Sequence, residues 1–258
     1  MNENRFNKKG EIYAKSRPSY PLEFMDYLYK KAILSKDSKI ADIGSGTGLL
    51  TKCLLEQNST VYAVEPNDDM RRVAERELQQ FNRFHSIYGT AENTTLGDKS
   101  IDCITVGQAF HWFDKGLFRN ECRRILKTEG KVVLVWNARV EQSEIVAAIA
   151  AINKRYCPNF NGFSENLMNT KFEKERFVDF FVGDYDIQIF ENNIELDKNL
   201  FVDRNLSSSY APNEEDKNYT SYIKALEEVF AKFSKAGFLT FPYSTRSYIG
   251  KVSGRLQN

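Results

Sequence analysis

Apolar positions along the first half of the chain switch repeatedly between two periods. After Pro21, whose fixed φ suits a first helical turn, Met25, Leu28, Tyr29 and Ala32 recur at helical spacing and predict an amphipathic helix. Lys39–Ile43 reads as a short strand running into glycines, residues 49–57 as a helix, and Thr60–Val64 as a second strand. Asn67 is placed to cap the next helix, with Asp68 and Asp69 in its first turn and Met70, Val73, Ala74 and Leu78 as its buried stripe. Residues 84–88, 101–106 and 131–136 are further strand candidates. Between the last two lies a helix with Phe118, Cys122, Ile125 and Leu126 on one face, expected to stop near Gly130. Strands alternating with helices predict a doubly wound, largely parallel α/β sheet, and the unbroken apolar run Val132–Trp136 suits a strand covered on both faces.

The rhythm changes after Trp136. Residues 145–156 read as a helix, 159–171 as polar and irregular, 172–182 as helical and 185–190 as a strand. Residues 203–220, rich in Ser, Asn, Asp and Glu, read as loop. A strong amphipathic helix follows, with Tyr222, Leu226, Val229, Phe230 and Phe233 inward and Gly237 as its terminator, and residues 243–252 form a last strand. With no internal repeat and no low-complexity linker, the expectation is a single domain over 1–258. It has a cofactor-binding core at about 36–137, a substrate-side helical and loop cap at about 138–236 and a C-terminal strand at about 243–252.

Composition narrows the function classes. Apolar residues at 41% and charged residues at 28% exclude a disordered or collagen-like chain. Thirty-six Lys and Arg against 35 Asp and Glu leave a net charge of +1, without the basic footprint of a nucleic-acid or anionic-membrane partner. Four scattered cysteines without a C-x-x-C pair, and only two histidines, fit neither a disulfide scaffold nor a metal-ligand cluster. The charged first residues lack the apolar core of a signal peptide, and the longest aliphatic stretch, 145–152, is far shorter than the ~20 residues of a membrane helix. A reduced, soluble, cytoplasmic protein whose function comes from a local site is expected.

The sharpest local feature is Ala41-Asp42-Ile43-Gly44-Ser45-Gly46-Thr47-Gly48, at the end of one strand and the start of a helix. Glycines there permit a tight turn and close backbone approach to a ligand. Glu65 ends the next strand, where a carboxylate can accept both hydroxyls of a ribose. A dinucleotide fingerprint asks for G-x-G-x-x-G, but its third place here is Leu49.

The G-x-G-x-G spacing instead resembles motif I of the class I S-adenosylmethionine-dependent methyltransferases, of the type 11-like kind. Glu65-Pro66 is similar to that family's motif II and Gly89-Thr90-Ala91-Glu92 to its loop after the third strand. Gln108 to Phe113, after the fourth strand, is similar to the branch that includes trans-aconitate methyltransferase-like proteins. Tyr13 to Pro21 resembles its Y-x-x-x-R-P-x-Y-P signature, and Ser209 to Pro212 and Tyr243 to Arg246 resemble its C-terminal blocks. The resemblance implies a Rossmann-like seven-stranded sheet whose one antiparallel strand is 243–252, beside 185–190. It also implies S-adenosylmethionine as cofactor and S-adenosylhomocysteine as product.

By the same resemblance, Gly44, Ser45 and Gly46 contact the cofactor, Asp42 fixes the turn or reaches the methionine amino group through water, Glu65 with Pro66 holds the ribose, and Met70, Thr90, Ala91 and Glu92 flank the adenine. Gln108 lies where cofactor and acceptor meet. Tyr13, Arg17 and Tyr20 form a lid, with Arg17 near the methionine carboxylate or an acidic substrate, and Trp112 stands on the substrate side. Each residue also has a plainer reading: Met70 as core, Ala91 and Glu92 as a solvated turn, Tyr13, Arg17 and Tyr20 as pins for the N-terminal segment. His111 is the one neutral-pH base candidate in these motifs, or else a packed imidazole. An ionised carboxylate acceptor needs no base, which favours a small acidic substrate with 159–220 as its wall. A nicotinamide-dependent oxidoreductase and a non-catalytic S-adenosylmethionine-binding module are the competing readings.

Overall fold

The computed structural model describes residues 18–163, 177–208 and 210–252. The chain divides into two compact units, one of residues 1–137, 174–190 and 245–258 and one of 138–173 and 191–244.

In the first unit, β1 (Lys39–Ile43), β2 (Thr60–Val64), β3 (Phe84–Ile87), β4 (Ile101–Gly107), β5 (Leu126–Arg139), β6 (Asp186–Glu191) and β9 (Tyr243–Gly250) build one sheet in the order β3-β2-β1-β4-β5-β9-β6. β1 pairs in parallel with β2 and β4, which sets Asp42 opposite Ala63 on one side and Thr105 on the other. Val182 N–H donates to Lys251 O at 2.8 Å and Asn192 N–H to Tyr243 O at 2.9 Å, so β9 runs antiparallel to β6. The seven-stranded sheet with one antiparallel strand at 243–250, beside 186–191, is therefore as expected. The chain winds outward from β1 to β3 and returns to β4 on the other side of β1. The crevice at the carboxyl ends of β1 and β4 is thus the topological switch point, where open α/β sheets bind ligands.

One face of the sheet is covered by α1 (Leu22–Ala32) and α2 (Leu49–Glu56), which bury Phe24, Met25, Leu28, Leu50, Leu54 and Leu55 against Ile40, Val61, Cys103, Val133 and Val135. Each such aliphatic side chain removed from water is worth about 1.5–3 kcal/mol. Strand alternation sends Trp136 to the opposite face, where it meets Phe110, Phe177 and Tyr248 in stacked and edge contacts of 5.7–6.5 Å. α3 (Asp68–Leu78) starts at Asn67, whose side chain accepts from Met70 N–H, and buries Met70, Val73, Ala74 and Leu78.

Several boundaries differ from the sequence expectation. α4 (Lys115–Ile125) ends five residues before Gly130, because Leu126 is already extended and pairs with Ile101. The ladder then jumps from Ile101–Leu126 to Cys103–Lys131, so residues 127–130 bulge out of register and Gly130 lies inside β5. Of the helix expected at 172–182, residues 177–182 form turns and the rest lies outside the described residues. All four cysteines are buried free thiols.

The second unit carries α5 (Glu144–Tyr156), α6 (Lys198–Leu206), α7 (Tyr219–Phe233) and an antiparallel pair of β7 (Ile194–Leu196) with β8 (Leu239–Phe241). Val146, Ile149, Phe201, Tyr222, Leu226, Phe230 and Leu239 form its core. Residues 203–206, expected as loop, are the end of α6, which Asp197 caps through Leu200 N–H. α7 stops at Ser234 rather than at Gly237, whose φ of +85° serves the turn into β8. Among the described residues, no helix is long and apolar enough to cross a membrane.

Candidate cofactor site

The glycine turn is held by main-chain bonds before any ligand is considered. Gly44 and Ser45 N–H both donate to Val64 O, at 2.9 and 3.2 Å, and Gly48 N–H donates to Ser45 O at 2.9 Å. Gly44, Gly46 and Gly48 all have positive φ. They need glycine for different reasons. A Cβ on Gly44 would stand 2.7 Å from Ala109 Cβ, and one on Gly48 2.7 Å from Leu78 Cδ1, whereas at Gly46 it would meet nothing within 4 Å. Gly44 and Gly48 are glycines for packing. Gly46 faces open space.

Glu65 locks the turn to β2. It is 8% exposed, with Oε2 accepting from Gly46 N–H and Oε1 from Asn67 N–H, both at 2.9 Å. The carboxylate thus lies against the backbone of the turn with further lone pairs on each oxygen. Pro66 is half-buried, and Met70 is buried on the first turn of α3.

Asp42 is 1% exposed and accepts from Thr51 Oγ1 at 2.6 Å and Thr105 Oγ1 at 2.9 Å, joining β1 to the start of α2 and to β4. Burial, reinforced by the nearby Glu65 charge, pushes its carboxyl up to about 6 against the hydrogen bonds that favour the anion. The native carboxyl therefore holds its proton to higher pH than the unfolded one. Its contribution to stability is full below the ordinary aspartate range near pH 4 and is lost as pH rises through about 6. The ceiling on that loss is about 3 kcal/mol. Asp42→Asn keeps the shape, and both threonine hydroxyls can turn to meet the amide. We expect the variant to become more stable relative to wild type as pH rises from 4 to 7, read as the difference between two urea-midpoint profiles. A constant difference would overturn this placement of the charge.

Tyr20, Asp42, Gly44, Ser45, Gly46, Thr47, Leu49, Leu50, Gly107 and Gln108 line one cleft at the switch point. Of these, Tyr20, Asp42, Gly44, Ser45, Gly46 and Gln108 are expected from the sequence. Gln108 has a φ of +59° and its N–H donates to Val135 O at 2.8 Å, which turns the chain sharply at the end of β4. Gly107 is not anticipated by the motifs, and Thr47, inside the glycine run, is given no role by them. A Cβ on Gly107 would come within 2.7 Å of Tyr20 Oη, so the glycine at this strand end was the available signal. Thr47 Oγ1 is buried without a hydrogen-bond partner among the described residues.

Thr90, Ala91 and Glu92 form a turn after β3, closed by paired bonds between Thr90 and Asn93. Ala91 is buried, and Glu92 Oε1 accepts from Asp114 N–H at 2.9 Å, so this carboxylate also braces the start of α4. His111 and Trp112 lie in a short 3-10 turn, Phe110–Trp112, exposed and with ring centroids 4.6 Å apart; neither lines the cleft. Tyr13 and Arg17 lie outside the described residues. Among the described residues, no group of three or more His, Cys, Asp or Glu is placed to hold a metal ion.

Comparison with known proteins agrees with this geometry. A family model described as a methyltransferase domain matches residues 41–134. An uncharacterized methyltransferase of Mycobacterium tuberculosis is 39% identical over 130 residues, which are 50% of this chain and 51% of that protein. The chain thus spans about half the length of this relative. An uncharacterized methyltransferase of a Geobacillus species is 30% identical over 159 residues, 58% of this chain and 74% of its own. For the fold alone, a proposed type II methyltransferase of Anaeromyxobacter dehalogenans superposes with a TM-score of 0.66 at 19% identity, covering 93% of this chain and 99% of its own. With its glycine turn, strand-end acid and sheet order, the chain belongs to the class I S-adenosylmethionine-dependent methyltransferases.

Proposed function

We propose that the chain transfers a methyl group from S-adenosylmethionine to a small-molecule acceptor, with a carboxylate as the favoured nucleophile. The observation that carries this reading is the cleft beside Gly46. It has open space where a Cβ would stand, a carboxylate bonded to the turn, and a buried acid beneath it. That donor and acceptor set suits a ribose diol and a cationic nucleoside.

Bound S-adenosylmethionine would supply an electrophilic methyl on a positive sulfur, open to in-line attack. The chain's own work is then placement. Glu65 accepts from the sugar hydroxyls, the glycine turn lets the backbone come close, and Asp42 holds the turn to α2 and β4. Met70 and the turn at Thr90, Ala91 and Glu92 are assigned to the adenine. Gln108 is assigned to the junction of cofactor and acceptor, and Tyr20 to the cleft wall. Positioning two reactants in this way supplies roughly 7–11 kcal/mol of a barrier.

His111 stands exposed beside Trp112 rather than in the cleft lining, which suits an acceptor that arrives ionised. We expect transfer of radiolabelled methyl from S-adenosylmethionine to a pool of small carboxylic acids. We expect His111→Ala to keep turnover within about tenfold of wild type with unchanged cofactor affinity. A loss of several hundredfold in turnover alone would make His111 the base and point to a hydroxyl or amine acceptor. Tight S-adenosylmethionine binding with no transfer to any pool would favour a non-catalytic binding module.

A further inference from the structure

Pro18 and Ser19 are tied into the sheet by a buried side chain outside the motifs. Asn137, near the end of β5, is 4% exposed. Its Nδ2 donates to Pro18 O at 2.8 Å and Ser19 O at 3.2 Å, and its Oδ1 accepts from Thr245 Oγ1, fully buried in β9, at 2.6 Å. A primary amide offers two donors and one acceptor group, and here each is engaged. Carbonyl oxygens only accept, so the nitrogen must face Pro18 and Ser19, which leaves Oδ1 for the Thr245 hydroxyl.

That clamp sets the direction of the next residue. Tyr20 follows Ser19 directly, and Pro21 behind it restricts its backbone. The Tyr20 ring packs on Phe24 at 5.8 Å, and its hydroxyl lies over Gly107, where only a glycine leaves room. Tyr20 thereby becomes a wall of the cleft that also contains Asp42, Gly46 and Gln108. Asn137 itself is absent from that lining. A buried amide placed this way is costly unless fully bonded, so its use here needs a reason beyond filling space, which an apolar residue would serve.

We infer that Asn137 is a positioning residue for cofactor retention: it holds Pro18 and Ser19 against the sheet so that Tyr20 closes the cofactor cleft at the end of β4. The inference rests on the proposed cofactor site. Closing a wall slows escape more than it slows entry, so its loss shows in the rate of release.

The test is the binding kinetics of S-adenosylhomocysteine to the full chain. Asn137→Asp keeps the size but turns a carboxylate toward two carbonyl oxygens. It is expected to speed release about tenfold while association stays within about twofold. Thr245→Val leaves both donated bonds but strips the buried Oδ1 of its donor and loosens the clamp, and is expected to speed release about threefold. A purely structural role would lower the melting temperature of both variants and leave the release rate of the folded protein unchanged, which overturns the inference. If Asn137→Asp does not fold, an unchanged release rate in Thr245→Val alone overturns it. If the wild-type chain does not bind S-adenosylhomocysteine, the cofactor reading fails and this inference falls with it. Wild-type binding with unaltered release in the variants defeats the clamp alone.

Discussion

Replacing Gly46 with valine is expected to abolish measurable S-adenosylmethionine binding while the protein stays folded. Two effects combine at this position. Its φ of +57° lies in the left-handed region, where a β-branched residue is strained by about 1–3 kcal/mol. Its missing Cβ faces a volume with no described protein atom within 4 Å, so a β carbon there fits the free protein. The strain appears as a modest fall in melting temperature, and the lost volume appears in binding. Because the Gly46 N–H also donates to Glu65, any shift of the turn disturbs the proposed ribose acceptor as well. An affinity loss beyond ~100-fold is expected, equivalent to about 2.7 kcal/mol. Gly48→Ala is the contrasting variant, since its Cβ meets Leu78 at 2.7 Å and its cost should fall on stability. Calorimetric titration and thermal melting of both separate the two cases. Valine at 46 with wild-type affinity would show that the cofactor lies elsewhere.

The scaffold of the first unit is legible in the sequence because its signals are local. β1, β2 and α3 coincide with the expected ranges, since each combines an apolar pattern with a clear stop: glycines after Ile43, Glu65-Pro66 after Val64, and the Asn67 cap. The glycine turn and Glu65 are readable for the same reason, as backbone needs that few residue types meet. The second unit is harder. α6 is short and polar, with Phe201 as its single buried residue, so its hydrophobic stripe is too thin to stand out from a Ser- and Asn-rich loop. β7 and β8 have three residues each, too few to show alternation, and they pair across more than 40 residues of intervening chain. α4 is shorter than its pattern suggests because Leu126 continues the helical spacing, while its strand partner, Ile101, is far away in sequence.

The parts of the site that the sequence conceals are tertiary. Nothing near Asn137 in sequence announces that its amide will meet Pro18, Ser19 and Thr245, which lie more than 100 residues away on either side. Thr51 and Thr105 look like ordinary helix and strand residues until the fold sets both hydroxyls on Asp42. Glu92 is expected at the adenine, and the structure adds a bond to Asp114 N–H that spacing could not reveal.

Glu65→Gln carries the other large effect, because it changes one atom in a position used three ways. Both carboxylate oxygens already accept main-chain N–H groups, from Gly46 and from Asn67, and the proposed ribose recognition asks the same oxygens to accept the sugar diol. A glutamine must place its NH2 against one of those N–H groups, setting donor against donor in a site only 8% exposed. Charge-assisted bonds of this kind are worth about 1.5–3 kcal/mol each, so S-adenosylhomocysteine affinity should fall by ~100-fold or more. Loss of affinity alone does not separate ribose recognition from support of the turn. Comparison with a ribose-deoxy analogue does. Wild type should prefer the diol compound by more than about tenfold, and Glu65→Gln should bind the two nearly alike. Equal losses for both compounds, with the preference intact, would assign Glu65 to the turn only. The same variant removes a negative charge that helps hold Asp42 protonated, although burial is the larger cause. The pH range over which wild type and Asp42→Asn diverge in stability should therefore move to lower pH when both are built on the Glu65→Gln background, tying the two acids to one electrostatic site.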